Sequence, residues 1–137
     1  MYEILIVGGG PAGLTAAIYA ARAGKHVAVL ERGSTGGQII SAPLVENYPG
    51  IPSVSGTELA RQMTEQACTF GAEIVYTEAV GLEKTPAGFR VLCTDGVREA
   101  KTVILATGAA HRRLDLPWET TLTGCGAVSY THLRAHE

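Results

Sequence analysis

Gly8-Gly9-Gly10-Pro11-Ala12-Gly13 is a G-x-G-x-x-G run set directly after a short aliphatic stretch and directly before an alanine-rich one. The chemistry of such a run lies in its backbone. Gly8 permits a tight turn, Gly10 lets the main chain approach a diphosphate, and Gly13 lets a helix pack closely on a strand. The helix opening there offers N–H groups without intrahelical partners and the positive end of its dipole, so an anion is the expected ligand. Glu31 stands 18 positions beyond Gly13, at the end of a second aliphatic stretch. A carboxylate there accepts hydrogen bonds from a ribose 2′-hydroxyl and repels a 2′-phosphate. The implied chemistry is binding of the adenosine diphosphate end of FAD or NAD rather than NADP, and the glycines alone do not separate FAD from NAD.

The other reactive side chains form no constellation. Cys68, Cys93 and Cys125 make no CxxC pair, so neither a zinc site nor a redox motif is expected, and Cys68 and Cys93 are read as small packing residues. His26 and His111 are isolated and are read as surface or strand-end residues. His132 and His136 stand at i and i+4 beside Glu137, a spacing that on a helix can hold a metal, but they fall in a tail set aside below, so no metal site is expected. Eleven Lys and Arg against 13 Asp and Glu leave a net charge of −2 with no basic cluster, which argues against nucleic acid or anionic lipid as partner. No apolar run has the length of a membrane span, and the start lacks the features of a secretory signal, so a soluble cytoplasmic protein is expected.

These residues need a scaffold to position them. Residues 2–7 are a β-branched and aliphatic run of the kind buried on both faces of a parallel sheet. Pro11 suits the first turn of a helix, the run Ala12 to Ala23 continues it, and Gly24 stops it. His26 to Glu31 follows as a second strand, which completes a βαβ unit. Residues 32–55, rich in Gly, Pro, Ser and Asn, are expected to form a long functional loop with one short turn of structure. Ser55 is the expected N-cap of a second helix, with Leu59, Met63, Ala67 and Phe70 as its apolar stripe, Gly71 as its stop and a strand over 72–76. Residues 79–106 read as a small antiparallel insertion turning at Asp95-Gly96 and returning to the main sheet over 102–106. One domain or part of one is expected.

The segments IVGGGPAGLTAAIYAARAG, LER, GGQI, VENYPG, FGAEIV and VILATGA, in this order, resemble the low-molecular-weight thioredoxin reductases, within the FAD/NAD(P)-binding pyridine nucleotide-disulfide oxidoreductases. The likeness runs from Met1 to about Gly126. It implies an α/β fold: a three-layer, Rossmann-like FAD-binding domain with a parallel sheet and a small antiparallel β insertion, incomplete in this chain. It further implies that Gly8, Gly10, Pro11, Ala12 and Gly13 bind the FAD pyrophosphate and Glu31 the adenosine ribose. Arg32 to Gln38 would wrap the cofactor, with Gly36 in that loop and Gly37 and Gln38 toward the flavin. Asn47 would reach the ribityl and isoalloxazine region, Val80 would meet adenine through its backbone, and Ala106-Thr107-Gly108 would leave a strand beside the cofactor. In the family, NADPH reduces FAD, FAD reduces a CxxC disulfide, and the dithiol reduces thioredoxin. The resemblance thus implies an oxidoreductase parent, homodimeric, with thioredoxin or a similar dithiol protein as partner.

Where the family reads G-x-G-V-S-Y-C-x-x-C-D-G, this chain reads Gly124-Cys125-Gly126-Ala127-Val128-Ser129-Tyr130-Thr131-His132. Val128 to Glu137 back-translates to GTC TCT TAT ACA CAT CTC CGA GCC CAC GAG, which resembles a transposase adapter used in sequencing libraries. Residues 1–126 are therefore expected to be the N-terminal part of an FAD-binding domain and 127–137 a tail that is not native. With neither an NADPH domain nor a CxxC pair, this chain is expected to hold no catalytic residue and to be inactive by itself. Two alternatives stand beside this reading: the FAD domain of a ferredoxin–NADP reductase of the same fold, and a non-catalytic dinucleotide-binding module.

Overall fold

A computed structural model describes residues 1–110. Within them, β1 (Tyr2–Val7) leads through the glycine run into α1 (Pro11–Arg22), and β2 (Val27–Glu31) follows. A 3-10 turn (Gly37–Ser41) interrupts the loop before α2 (Gly56–Thr69) and β3 (Glu73–Tyr76). The chain then runs through β4 (Ala79–Thr85), β5 (Gly88–Cys93) and β6 (Gly96–Leu105). The sheet order is β3-β2-β1-β6-β5-β4; β3, β2, β1 and β6 are parallel neighbours, and β5 and β4 are antiparallel ones.

β1 shows why the sheet is covered on both sides. Side chains alternate across a strand, so the adjacent Leu5 and Ile6 point to opposite faces, yet both are fully buried. Ile6 packs with Ala17, Ile18, Ala21 and Ala67 of the two helices, and with Val27 and Val29 of β2. Leu5 packs instead with Leu30, Val91, Cys93 and Ala100. Helices lie over one face and the β4–β5 ribbon over the other, which makes the three layers. Burying a leucine of this kind stabilises by roughly 1.5–3 kcal/mol, so β1 is held from both sides.

α2 starts where its cap predicts: the Ser55 hydroxyl accepts from the Glu58 N–H at 3.2 Å. Leu59, Met63 and Ala67 form its buried stripe, and Gly71 at φ +96 ends it. Phe70 departs from the expected stripe. It is the C-cap residue, beyond the last helical turn, 42% exposed, with the Arg22 guanidinium 5.6 Å from its ring. Cys68 also departs from its expected packing role. One residue on from Ala67 is about 100° around the helix, and Cys68 is exposed, whereas Cys93 is buried between the sheet layers.

The antiparallel insertion expected over 79–106 stands in the structure and is continuous with the main sheet. β6 is one ten-residue strand that pairs with β5 through Gly96 to Ala100 and with β1 from Ala100 to Leu105, so the meander and the parallel sheet share a strand. Ala100 is the hinge between the two pairings, registered with Tyr2 on one side and Phe89 on the other. The sequence reading also lacked β4 as a strand. Its polar Glu83 and Lys84 mask the period, and its pairing with β5 slips at Val80, between Ala79 and Gly81.

Candidate functional site

The glycine turn is set by close backbone packing. Gly8 has φ +108, and a Cβ there would stand 2.2 Å from the Ala106 carbonyl oxygen. A Cβ on Gly13 would stand 1.9 Å from the Gly8 carbonyl oxygen. Both positions exclude a side chain because strand, turn and helix touch main chain to main chain. Gly10 is different: nothing lies within 4 Å of where its Cβ would be. It is the N-cap of α1, with Pro11 in the first turn, no side-chain cap and no acidic residue there. The first-turn N–H groups, those of Ala12 and Gly13 among them, have no intrahelical partner and lie at the positive end of the helix dipole. That is the donor set and the room a diphosphate needs.

Glu31, at the end of β2, is oriented by two backbone donors. The Gly9 N–H donates to one carboxylate oxygen at 2.8 Å and the Gly33 N–H to the other at 2.9 Å. A carboxylate accepts about four hydrogen bonds, so capacity for ribose hydroxyls remains on both oxygens. The 32–55 loop closes on the same turn. The Gly36 N–H donates to the Gly9 carbonyl at 2.7 Å, the Cβ position of Gly37 lies 3.4 Å from the Gly10 Cα, and the Gln38 side-chain amide donates to the Ala109 carbonyl. Val45 anchors that loop from beneath, buried with Leu14, Leu59 and Met63. At the far side, the Ala106 N–H donates to the Val7 carbonyl at 2.8 Å, which carries Thr107 and Gly108 past the strand ends.

Of these pieces, Gly8, Glu31 and Thr107 border a cleft of about 180 Å³ lined by Val7, Gly8, Leu30, Glu31, Arg32, Thr77, Glu78, Ala79 and Thr107. It sits at the carboxyl ends of the parallel strands, where ligands bind in open α/β sheets. Arg32 lines it and lies 3.8 Å from the Glu78 carboxylate. Of the expected residues, Gly8, Glu31, Arg32 and Thr107 line the cleft. Asn47 is exposed and lines a separate depression with Ile39, Ala42, Leu44, Val45 and Glu46. Val80 is 64% exposed, next to the cleft-lining Ala79. Thr77, Glu78 and Gly9 were not singled out from the sequence. The one signal for the first two was their place just after β3, at the carboxyl edge of the sheet. His111, Cys125 and the 127–137 tail with its His pair lie outside the described residues.

A glycine turn opening a helix, an acidic end to the second strand and a β-ribbon over the far face define a dinucleotide-binding α/β domain, and the chain belongs to the pyridine nucleotide-disulphide oxidoreductase family, which matches residues 2–136. Among its relatives, the domain is similar to that of the thioredoxin reductases. The thioredoxin reductase of Treponema pallidum is 44% identical over 130 residues, covering 94% of this chain and 42% of the relative. The crystal structure of Lactococcus lactis thioredoxin reductase superposes with a TM-score of 0.84 at 38% identity, covering 89% of this chain and 40% of that one. A ferredoxin-flavin thioredoxin reductase from Clostridium acetobutylicum superposes with a TM-score of 0.75 at 32% identity, over 91% of this chain and 43% of that one. The chain spans about two-fifths of the length of these relatives.

Proposed function

We propose that this chain is the FAD-binding part of a cytoplasmic, homodimeric oxidoreductase that moves electrons from NADPH through FAD to a redox disulfide, and from there to thioredoxin or a similar dithiol protein. The observation that carries the reading is the open N-terminus of α1 at Gly10, flanked by the oriented Glu31 carboxylate and closed over by the Gly36-Gly37-Gln38 loop. Gly8, Gly10, Pro11, Ala12 and Gly13 would hold the pyrophosphate and Glu31 the adenosine ribose. Arg32, Gly36, Gly37, Gln38, Asn47, Val80, Ala106, Thr107 and Gly108 would complete the enclosure. FAD, once bound, would supply the redox chemistry that no side chain here offers. The chain's own part is to bind the cofactor, orient it and shield it from water. Because Cys68, Cys93 and Cys125 make no CxxC pair, these 137 residues are proposed to hold FAD without reducing a disulfide.

A second reading concerns the electron donor. The likeness to a ferredoxin-flavin thioredoxin reductase supports ferredoxin in place of NADPH. Titrating the purified chain with FAD and following the quenching of flavin fluorescence tests the common core of both readings. Saturable one-to-one binding that ADP competes away is the expected result; no quenching, or quenching that ADP leaves unchanged, overturns it.

A further inference from the structure

Thr77 is the one polar side chain among the described residues that is both buried, at 6% exposure, and part of the cleft wall. Its N–H donates to the Glu31 carbonyl at 2.9 Å, tying the wall to the strand that ends in the ribose-facing carboxylate. Its hydroxyl donates to Asp95 Oδ1 at 2.5 Å and lies 3.3 Å from the Thr94 hydroxyl. Asp95 belongs to the β5–β6 turn, 18 residues away in sequence. Arg98 clamps it with two hydrogen bonds, both 2.8 Å, one to each carboxylate oxygen. The Thr94 N–H donates to the Glu78 carbonyl at 3.0 Å, so the same turn grips both Thr77 and Glu78. The Arg98 guanidinium, and after it the Thr77 hydroxyl, hold the Asp95 carboxyl well below the usual carboxylate range.

We propose that Asp95 is a positioning residue for the dinucleotide cleft: fixed by Arg98, it holds Thr77 and so sets the place of the Thr77–Ala79 wall beside Glu31. The ligand side of this inference rests on the function proposed above; the wall-holding side does not. A hairpin turn on the outer layer thereby reaches the pocket through the Thr77 hydroxyl and through the main-chain bond from Thr94 to Glu78. Loss of the hydroxyl leaves the Asp95–Arg98 pair and both main-chain bonds in place and removes only the side-chain tie on the wall.

The test uses the 137-residue chain and the variants Thr77→Val, Thr77→Ser, Asp95→Ala and Asp95→Asn, each checked by far-UV circular dichroism. Amide hydrogen exchange without ligand reads the wall directly at the Thr77 and Thr94 N–H groups. Thr77→Val and Asp95→Ala are expected to speed exchange there about tenfold with residues 11–22 unchanged, and to weaken ADP and FAD binding by about five- to tenfold. Thr77→Ser keeps both properties, and Asp95→Asn, which still accepts from Thr77, falls between. Thr77→Val exchanging and binding like the parent, or Thr77→Ser failing as badly as Thr77→Val, overturns the proposal. A parent chain that takes neither ADP nor FAD overturns the functional reading instead, and the exchange rates then decide the role of Asp95 alone.

Discussion

The two sides of the cleft are built on opposite principles. The glycine turn over residues 8–13 is shaped by main chain against main chain, with Gly13 against Gly8 and Gly8 against Ala106. The other wall, over residues 77–79, adds to its main-chain bonds with Glu31 and Thr94 a tie made by side chains of a distant hairpin, Asp95 and Arg98 through Thr77. Backbone packing tolerates no added atom but needs no particular side-chain chemistry. A hydrogen-bonded wall tolerates changes of shape but depends on protonation and on hydroxyl position. A site assembled this way has one rigid side and one adjustable side.

The most severe way to break that contrast is Gly13→Ala. Its methyl would overlap the Gly8 carbonyl, and with no flexible side chain to give way the backbone must move, so a loss of about 3 kcal/mol or more is expected by urea denaturation. An unchanged midpoint would show that the turn is softer than its packing indicates. Leu30→Ala comes next. Leu30 is 2% exposed between β2 and the β-ribbon, and truncation is expected to cost roughly 2–4 kcal/mol and to loosen the ribbon layer first, which exchange at Val91 and Cys93 would register.

Gly10→Ala sharpens the comparison by separating folding from binding. The space around Gly10 is open and its φ of −75° suits alanine, so stability should move by less than about 0.5 kcal/mol. The methyl would stand in the approach of a diphosphate, so ADP affinity should drop more than about tenfold, a loss of at least ~1.4 kcal/mol. Equal affinity in a calorimetric titration would place the anion elsewhere.

The smallest expected effect is acid sensitivity at the hydrogen-bonded wall. The Asp95 carboxyl is depressed below its ordinary value of 3.8 by Arg98 and then Thr77, so its contribution is present above that pH and disappears as pH falls through the lower folded-state value. Amide exchange at Thr77 and Thr94 should rise relative to the α1 amides as pH is lowered below about 3.8, after correction for intrinsic rates. The wall and Asp95→Asn should then converge. Parallel behaviour of wall and glycine turn would show that Asp95 does not hold the wall.

What could be read from the chain beforehand followed from how local each signal is. Ser55 as a cap, Gly24 and Gly71 as stops and Asp95-Gly96 as a turn depend on a few neighbouring residues, and each stands in the structure where its type predicts. Phe70 fitted the helical period of α2 but came after its last turn, and periodicity does not show where a helix ends. Cys68 is small and apolar enough for either face, so composition could not choose. β4 was hidden because none of its residues is buried, so no core-facing side imposes an alternation on its sequence.

The glycine fingerprint and Glu31 determined by themselves a tight strand-to-helix turn with a carboxylate beside it, and the expectation of an adenosine diphosphate ligand came from them, because Gly8, Gly13 and a strand-end carboxylate carry their geometry wherever the βαβ unit forms. Only the tertiary structure decided what faces them. Thr77, Glu78 and Asp95 are ordinary polar residues with no local signature, and they become the far wall because β6 pairs with both β1 and β5 and so folds the 94–98 turn against the end of β3. Contacts between residues far apart in sequence depend on strand register and layer packing, which are properties of the whole sheet and are absent from any short stretch of the chain.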